Sequence, residues 1–243
     1  MTALLEAVEL TKRFGGVTAV DRCSFAVPRG TVTALVGPNG SGKTTVFNLL
    51  TGYIRADGGA VRFDGRDVRR PDPASLSRGG LTRTFQQARV FTKLTLVENL
   101  VASTATPWHA LARPAVRAAE RVRALEVLNE FGLAPHADDL AGRLSYGQRK
   151  LLEFATTLMG NPRLVLLDEP TAGVNPVLIE TMEERIRDLH GRGITFLVVE
   201  HNMSLVMRLC DPVIVLDHGT KLAEGAPETV RNDPRVLEAY LGD

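Results

Sequence analysis

The sequence predicts an α/β fold organised around a phosphate-binding loop. The first observation is a glycine-rich segment, Gly37–Thr45, which matches the Walker A pattern G-x-x-x-x-G-K-[ST]. The second is that an apolar strand pattern, 31–36, precedes this segment and a helical pattern, 46–51, follows it. The third is that two further apolar runs end in acidic residues or histidine, as expected at the ligand-binding edge of a parallel sheet: 164–167 before Asp168 and Glu169, and 194–199 before Glu200 and His201.

The residue types of the Walker A segment suit phosphate. Backbone N–H groups must curl around phosphate oxygens, so glycine is needed where side chains would intrude. Lys43 offers a positive charge to the β- and γ-phosphates, Thr44 offers a hydroxyl to Mg²⁺, and the following helix directs its positive end at the anion. We therefore expect a nucleotide site at Gly37, Pro38, Asn39, Gly40, Ser41, Gly42, Lys43, Thr44 and Thr45.

Composition and charge exclude several classes of protein. Of the 243 residues, 44% are hydrophobic and 23% charged, and the net charge of +1 does not favour nucleic acid or anionic lipid as partner. Cys23 and Cys210 form no C-x-x-C motif, which disfavours a disulfide framework or zinc site and favours a reducing cytosol. No run of 18 apolar residues and no signal-peptide core occur, so another chain would have to carry this one to a membrane.

Two strands are expected before the phosphate loop, over 4–10 and 17–27, with a turn at Phe14–Gly16. The Phe14 ring either stacks on an adenine or packs under the sheet, and the local sequence leaves both open. After the helix, turns are expected at 57–59 and 64–65 around a short strand, 61–63.

A short strand over 81–85 ends at Gln86, whose amide can reach a metal-bound water or a γ-phosphate. A helical insertion follows, with helices over 97–102 and 114–131. The second helix is expected to end at Gly132, to bury an apolar stripe and to expose its arginines to solvent. The alternative is a basic helix on a membrane surface, which the interspersed glutamates disfavour. The stripe comprises Val116, Val122, Leu125, Leu128 and Phe131.

Ser145 precedes an apolar helix that extends to about Met159. It either caps that helix and does no more, or forms a second anion site with the Gly147 backbone. Asp168 and Glu169 are expected on the Mg²⁺ shell and beside an attacking water, unless they simply end a strand. The remaining expected elements are a helix over 176–190, strands over 213–216 and 221–223, and two short helices in 227–243.

Together these stretches resemble the ATP-binding cassette (ABC) ATPases over nearly the whole chain. The motifs follow that family's order, and the Leu144–Gln148 stretch, LSYGQ, is specific because other phosphate-loop ATPases lack it. The resemblance implies a P-loop NTPase cassette with a RecA-like core, an antiparallel β subdomain and a helical subdomain. It implies one domain over 1–243, with the core at about 1–87 and 160–243 and the helical subdomain at about 88–159.

The resemblance also implies residue roles. Glu169 is the general base, His201 the switch histidine and Gln86 the lid glutamine, while Thr44, Gln86 and Asp168 hold Mg²⁺. Other residues implied to contact ATP are Phe14 and Val20 at the adenine, and Ser145, Gly147 and Gln148 in the opposing subunit of a dimer.

One departure from many cassettes is informative. Asn175 stands where they carry aspartate, so a charge is lost while hydrogen bonding across a dimer interface is retained. The segment Ala172–Pro176, AGVNP, is typical of importer ATPases for branched-chain amino acids, and Arg83–Gln86 and the tail 232–242 resemble the same subfamily. Within it, the chain resembles the longer of the two ATPase subunits.

The resemblance implies an ATPase subunit of a bacterial importer, peripheral at the cytoplasmic face of the inner membrane. Its expected ligands are ATP and Mg²⁺. Its expected partners are two membrane permeases, a second ATPase subunit and, indirectly, a periplasmic solute-binding protein, with no nucleic acid. The solute is expected to be Leu, Ile or Val, with urea, amides or other amino acids as alternatives. A non-transport ABC ATPase and a non-hydrolysing nucleotide-dependent module are further alternatives.

Overall fold

The computed structural model describes residues 2–68, 71–104 and 116–241. The strands are Ala3–Phe14 (β1), Val17–Pro28 (β2), Val32–Val36 (β3), Gly58–Phe63 (β4), Arg66–Val68 (β5), Leu81–Arg83 (β6), Leu164–Asp168 (β7), Thr195–Val199 (β8), Val213–Asp217 (β9) and Thr220–Gly225 (β10). The α-helices are Lys43–Leu50 (α1), Pro73–Arg78 (α2), Leu96–Ala102 (α3), Ala118–Glu130 (α4), Tyr146–Thr157 (α5), Pro176–Gly191 (α6), Met203–Leu209 (α7), Pro227–Arg231 (α8) and Pro234–Leu241 (α9).

The strands form two sheets. One is antiparallel, in the order β2-β1-β4-β5, and the other has the order β10-β9-β3-β8-β7-β6. In the second sheet β9, β3, β8, β7 and β6 are parallel, and only β10 is antiparallel to its neighbour. The strands β3, β7 and β8 are buried along their whole length, because both faces of this sheet are covered.

Alternate side chains of the parallel sheet enter two separate apolar clusters. Leu35, Leu166 and Leu197 face α1 and the antiparallel sheet. Ala34, Val165 and other residues of the opposite face pack against α3, α4, α5 and α6. The period of two along each strand therefore builds a layered α/β fold in which α1, directly after the phosphate loop, packs between the two sheets.

The predicted turn at 57–59 is wrong, because Gly58 and Gly59 lie inside β4. Gly59 has φ +84°, and a Cβ there would overlap the carbonyl oxygens of Val8 and Glu9. The glycines permit a close approach of β4 to β1 rather than a reversal of the chain. Three short elements, β5, α2 and α7, were not predicted because few residues define their patterns.

The apolar stripe predicted for α4 is wrong at Val122, whose side chain is 57% exposed. The stripe is confirmed at Leu128 and Phe131, which are buried, and Ala124 and Val127, which were not predicted, are buried as well. Position 128 is six residues after 122, which places the two side chains about 120° apart around a helix with 3.6 residues per turn. Within the described residues the helix begins at Ala118; the predicted start at Pro114 lies outside them.

Aromatic contacts join the helices to the parallel sheet. The Phe154 ring of α5 meets the rings of Phe131 and Phe196 edge-to-face, at centroid distances of 5.2 and 6.4 Å. All three side chains are buried. None of the helices in the ranges 2–68, 71–104 and 116–241 is long and apolar enough to cross a bilayer.

We expect Phe154→Ala to lower the free energy of unfolding by about 3–5 kcal/mol, since it empties a well-packed buried site. The control is Phe91→Ala, because that ring is 62% exposed and its loss changes little burial. Urea denaturation of the two variants measures the difference. Equal destabilisation by both would contradict the packing role of Phe154.

Candidate nucleotide-hydrolysis site

The phosphate loop follows the central strand β3 and leads directly into α1. Gly37 has φ +151°, and a Cβ there would overlap the carbonyl oxygen of Leu216, so a larger residue cannot replace it without moving β9. The loop residues from Pro38 to Gly42 form bends and turns, and Thr44 is exposed in the first turn of α1. The predicted nucleotide-binding residues of this segment are therefore contiguous at one edge of the parallel sheet.

The Lys43 side chain is curled into the loop. Its Nζ donates to the carbonyl oxygens of Gly37 and Pro38, both at 2.8 Å, and reaches Ser41 Oγ at 3.5 Å. Burial lowers the pKa of Lys43, and the Glu169 carboxylate opposes this shift. A cation is thus held inside the curl of backbone where an anion is expected to bind.

Gln86 and His201, two of the three predicted catalytic residues, both contact the carboxylate of the third, Glu169. Gln86 Nε2 donates to Glu169 Oε2 at 2.9 Å. His201 Nε2 lies 2.9 Å from Glu169 Oε1 and donates to it in the Nε2–H tautomer. The residues follow β6, β7 and β8, which are adjacent and parallel, so their carboxyl ends meet at one edge.

Arg83 is a member of this site to which the sequence reasoning gave no chemical role. Its guanidinium donates to Asp168 Oδ2 at 2.7 Å, to Asn48 Oδ1 at 2.7 Å and to Thr51 Oγ1 at 3.0 Å. The Arg83 and Asp168 side chains are both buried. The signal in the sequence was an arginine inside a short strand pattern. The structure places that strand, β6, in register beside β7, which leads to Asp168.

Glu200 is a second member that was not predicted. Its Oε1 accepts from the Thr171 amide and hydroxyl at 3.0 and 2.7 Å, and its Oε2 accepts from the amides of His201 and Asn202 at 3.0 and 3.3 Å. The side chain is buried. It therefore ties the loop after β7 to the backbone that carries the histidine, and an acid at the end of a buried strand was the signal for it.

The predicted adenine contacts differ in accessibility. The Phe14 ring is 50% exposed at the end of β1 and is not packed under the sheet, and Lys12 Nζ lies 5.4 Å from its centroid. Val20 is fully buried. Exposure leaves the Phe14 face available for stacking, whereas Val20 is covered and its side chain lies beside Gly42 of the phosphate loop.

Ser145, Gly147 and Gln148 lie at the start of α5. Ser145 Oγ accepts from the Gln148 amide at 3.3 Å, and Gln148 Oε1 accepts from the Ser145 amide at 3.0 Å, which is a reciprocal helix cap. Among the residues the structure describes, no hydrogen bond joins this group to the phosphate loop. One chain therefore brings together the loop, Asp168, Gln86, Glu169 and His201, but not the LSYGQ segment.

A parallel sheet with a Walker A loop, and with a carboxylate shared by glutamine and histidine at the same edge, defines a phosphate-loop nucleotide-hydrolysing protein. A family profile described as "ABC transporter" matches residues 20–172. A second, described as "Branched-chain amino acid ATP-binding cassette transporter", matches residues 220–243. The chain belongs to the ABC transporter family, and it is an ATP-binding cassette ATPase.

Curated relatives match the whole chain. The chain is 40% identical over 251 residues to the high-affinity branched-chain amino acid transport ATP-binding protein BraF of Pseudomonas aeruginosa, covering 99% of this chain and 98% of that one. It is 39% identical over 245 residues to the probable branched-chain amino acid transport ATP-binding protein LivG of Archaeoglobus fulgidus, covering 98% and 95%.

Solved structures match equally fully. A nucleotide-free ATP-binding cassette from an ABC transporter superposes with a TM-score of 0.90 at 34% identity, covering 100% of both chains. The ADP conformation of an ATP-binding cassette of an ABC transporter also gives 0.90, at 35% identity and 100% coverage of both. The predicted family and fold class are confirmed.

We expect Arg83→Met to lower the free energy of unfolding by about 3–5 kcal/mol, because it leaves Asp168 charged, buried and unpaired. The double variant Arg83→Met/Asp168→Asn should recover part of that loss. Arg163→Met is the matched control, since Arg163 makes a two-bond pair with Asp64 at an exposed position, where ion pairs contribute about 0–1 kcal/mol. Denaturant titration would contradict the assignment if both arginine variants lost equal stability.

Proposed function

We propose that this chain is the ATP-hydrolysing nucleotide-binding subunit of a bacterial ABC importer, and that the importer carries branched-chain amino acids. The structural observation that carries the hydrolytic part is the Glu169 carboxylate, held by Gln86 and His201 at the sheet edge. The transport part is supported by full-length similarity to transport ATP-binding proteins such as BraF and LivG.

The proposed roles follow from the donor and acceptor chemistry of the site. The Lys43 ammonium exchanges its bonds to the Gly37 and Pro38 carbonyls for phosphate oxygens when ATP binds. Thr44, Gln86 and Asp168 offer hydroxyl, amide and carboxylate oxygens, the hard ligands that Mg²⁺ prefers, and these residues would hold the ion. When bound, Mg²⁺ neutralises phosphate charge.

Glu169 is proposed to orient the attacking water and accept its proton, because its carboxylate lies beside the other strand-end residues that face the nucleotide. His201 contacts the γ-phosphate from the end of β8. Phe14 and Val20 form the adenine side of the site.

The proposed site is completed by a second subunit. Ser145, Gly147 and Gln148 lie at the start of α5 and make no bond to the loop of their own chain within its described residues, so they are proposed to contact ATP held by the partner. A dimeric post-hydrolysis structure of an ATP-binding cassette bound to ADP and Pi, at 25% identity and a TM-score of 0.79, supports this arrangement. Asn175 Oδ1 caps α6 through the Leu178 amide at 2.9 Å, so the Asn175 amide nitrogen is the group for the proposed cross-dimer bond.

The proposed partners are two membrane permeases, a second ATPase subunit and, indirectly, a periplasmic solute-binding protein, with the chain peripheral at the cytoplasmic face of the inner membrane. The proposed helical subdomain, 88–159, contains α3, α4 and α5 and would face the permeases, while 1–87 and 160–243 form the core. Urea, amides and other amino acids remain alternative solutes, because no residue of this chain is proposed to touch solute. A non-transport role is disfavoured by the names of the full-length relatives, and a non-hydrolysing role by the Gln86-Glu169-His201 set.

We expect Glu169→Gln to retain ATP binding and to lose about 10²–10⁴-fold in turnover, the usual scale for removing a general base. The trapped ATP should hold two subunits together, so a dimer should form with ATP and dissociate with ADP. Size-exclusion chromatography with each nucleotide, with the second ATPase subunit supplied, measures this. Lys43→Ala is the control that should bind no nucleotide; a Glu169→Gln mixture that stays monomeric, or hydrolyses at the wild-type rate, would contradict the proposal.

We expect charge reversal at Arg89 to uncouple transport from hydrolysis, because residues 88–98 join the Gln86 loop to α3 and are proposed to meet the permeases. The Arg89 guanidinium is exposed and stacks 3.8 Å from the Phe85 centroid. Glu98 is a poorer choice, since its carboxylate accepts from the Thr95 amide at 2.8 Å and caps α3.

The measurement is solute uptake and ATPase rate in reconstituted vesicles. Arg89→Glu should lower uptake while basal ATPase stays close to wild type, whereas the exposed control Arg66→Glu, on β5, should change neither. A proportional fall of uptake and ATPase in Arg89→Glu would contradict the coupling role.

A further inference from the structure

We propose that Lys150 and Glu153, two buried charged side chains about one turn apart on α5, are positioning residues for hydrolysis. Glu153 holds the loop that carries Gln86, and Lys150 holds the backbone of Glu169. The inference rests on the proposed function of Glu169 and Gln86, and neither Lys150 nor Glu153 is proposed to touch ATP or water.

Glu153 fixes the Gln86 loop from both sides. Its Oε1 accepts from the backbone amide of Phe85 at 3.0 Å and from that of Arg89 at 3.2 Å. Gln86 lies between these two anchors and reaches Glu169 through its side chain. A single buried oxygen therefore sets the path of the short segment from which the glutamine projects.

Lys150 holds the backbone of Glu169, the residue that the Gln86 side chain contacts. Its Nζ donates to the Glu169 carbonyl oxygen at 2.7 Å, and the Glu169 amide donates to the Val199 carbonyl at 2.9 Å. Glu169 has φ +46°, a left-handed conformation that a glutamate adopts only when its surroundings enforce it. The Ala172 amide also donates to the Glu169 carbonyl, at 3.2 Å, so Lys150 supplies one of three described bonds to this backbone and helps to aim the carboxylate.

Lys150 and Glu153 are ionisable side chains that the fold places in a buried site. Lys150 is 3% and Glu153 5% exposed. Burial raises the pKa of Glu153 to about 7, against the pull of the two amides, Lys150 and Arg89. Burial also lowers the pKa of Lys150, and this is opposed by Glu153, Glu200, Glu169 and Asp168. Such a desolvation cost points to a requirement for the specific hydrogen bonds rather than for stability.

Substitutions at Glu153 separate positioning from folding. The backbone N–H groups of Phe85 and Arg89 both donate to Glu153 Oε1. The side-chain oxygen of glutamine in Glu153→Gln can accept both bonds, whereas leucine in Glu153→Leu can accept neither. We expect Glu153→Leu to lower kcat for MgATP by about 10- to 100-fold, the scale of a misplaced catalytic group, with the Kd for ATP nearly unchanged. Glu153→Gln should restore kcat to within about threefold of wild type, and Lys150→Met should behave like Glu153→Leu.

The matched control is Thr157→Val on the same helix, because Thr157 is buried and, within the described residues, its hydroxyl bonds only to the nearby Phe154 carbonyl, at 2.7 Å. Its kcat should stay near the wild-type value. All measurements use the 243-residue chain with the second ATPase subunit supplied, and ATP binding and melting temperature are recorded for each variant. If Glu153→Leu fails to fold, Glu153→Asp replaces it, since it keeps the charge but shortens the reach.

The inference is overturned if Glu153→Leu keeps the wild-type kcat, or if kcat in all variants, including Glu153→Gln and Thr157→Val, falls only in step with melting temperature. Failure of the proposed function looks different: the wild-type chain and its Glu169→Gln variant would then hydrolyse ATP equally. A wild-type chain that depends on Glu169 while Glu153→Leu remains fully active rejects the positioning role alone.

Discussion

Residues that follow three adjacent strands of the parallel sheet meet at the Glu169 carboxylate. It receives Gln86 from the end of β6 and His201 from the end of β8, and it follows the last residue of β7. This meeting requires three adjacent parallel strands with their carboxyl ends at one edge. The apolar strand residues that stack in register beneath the site therefore contribute to its geometry as directly as the polar residues do.

Buried charges surround that carboxylate, and each described one has specific partners. Arg83 pairs with Asp168, and Glu200 accepts from the amides of His201 and Asn202. Lys150 and Glu153 reach the loops from α5. Charged groups placed this deeply cost free energy unless they are paired and hydrogen-bonded. Their hydrogen bonds hold loop backbone in defined positions at the sheet edge, where Gln86, Glu169 and His201 meet.

The site is proposed to be divided between two copies of the fold. The phosphate loop and the LSYGQ segment lie in different parts of the chain, and the described residues show no hydrogen bond between them. Helix α5 carries that segment at its start and the contacts of Lys150 and Glu153 in its middle. Helix α5 thus links the surface proposed to meet a partner with the backbone around the Glu169 carboxylate.

The sequence alone determined the phosphate loop, the buried strands and their acidic ends, because these depend on local patterns: glycine spacing, unbroken apolar runs and helix caps such as Ser145. It could not place Arg83, Lys150 or Glu153, since a charged residue in a strand or helix pattern reads as solvent-facing until its neighbours are known. It also misplaced Val122, because apolar spacing alone does not fix which helix face is covered. Tertiary structure decided these points, because burial and pairing arise from segments that are distant in sequence and meet only when the sheet assembles.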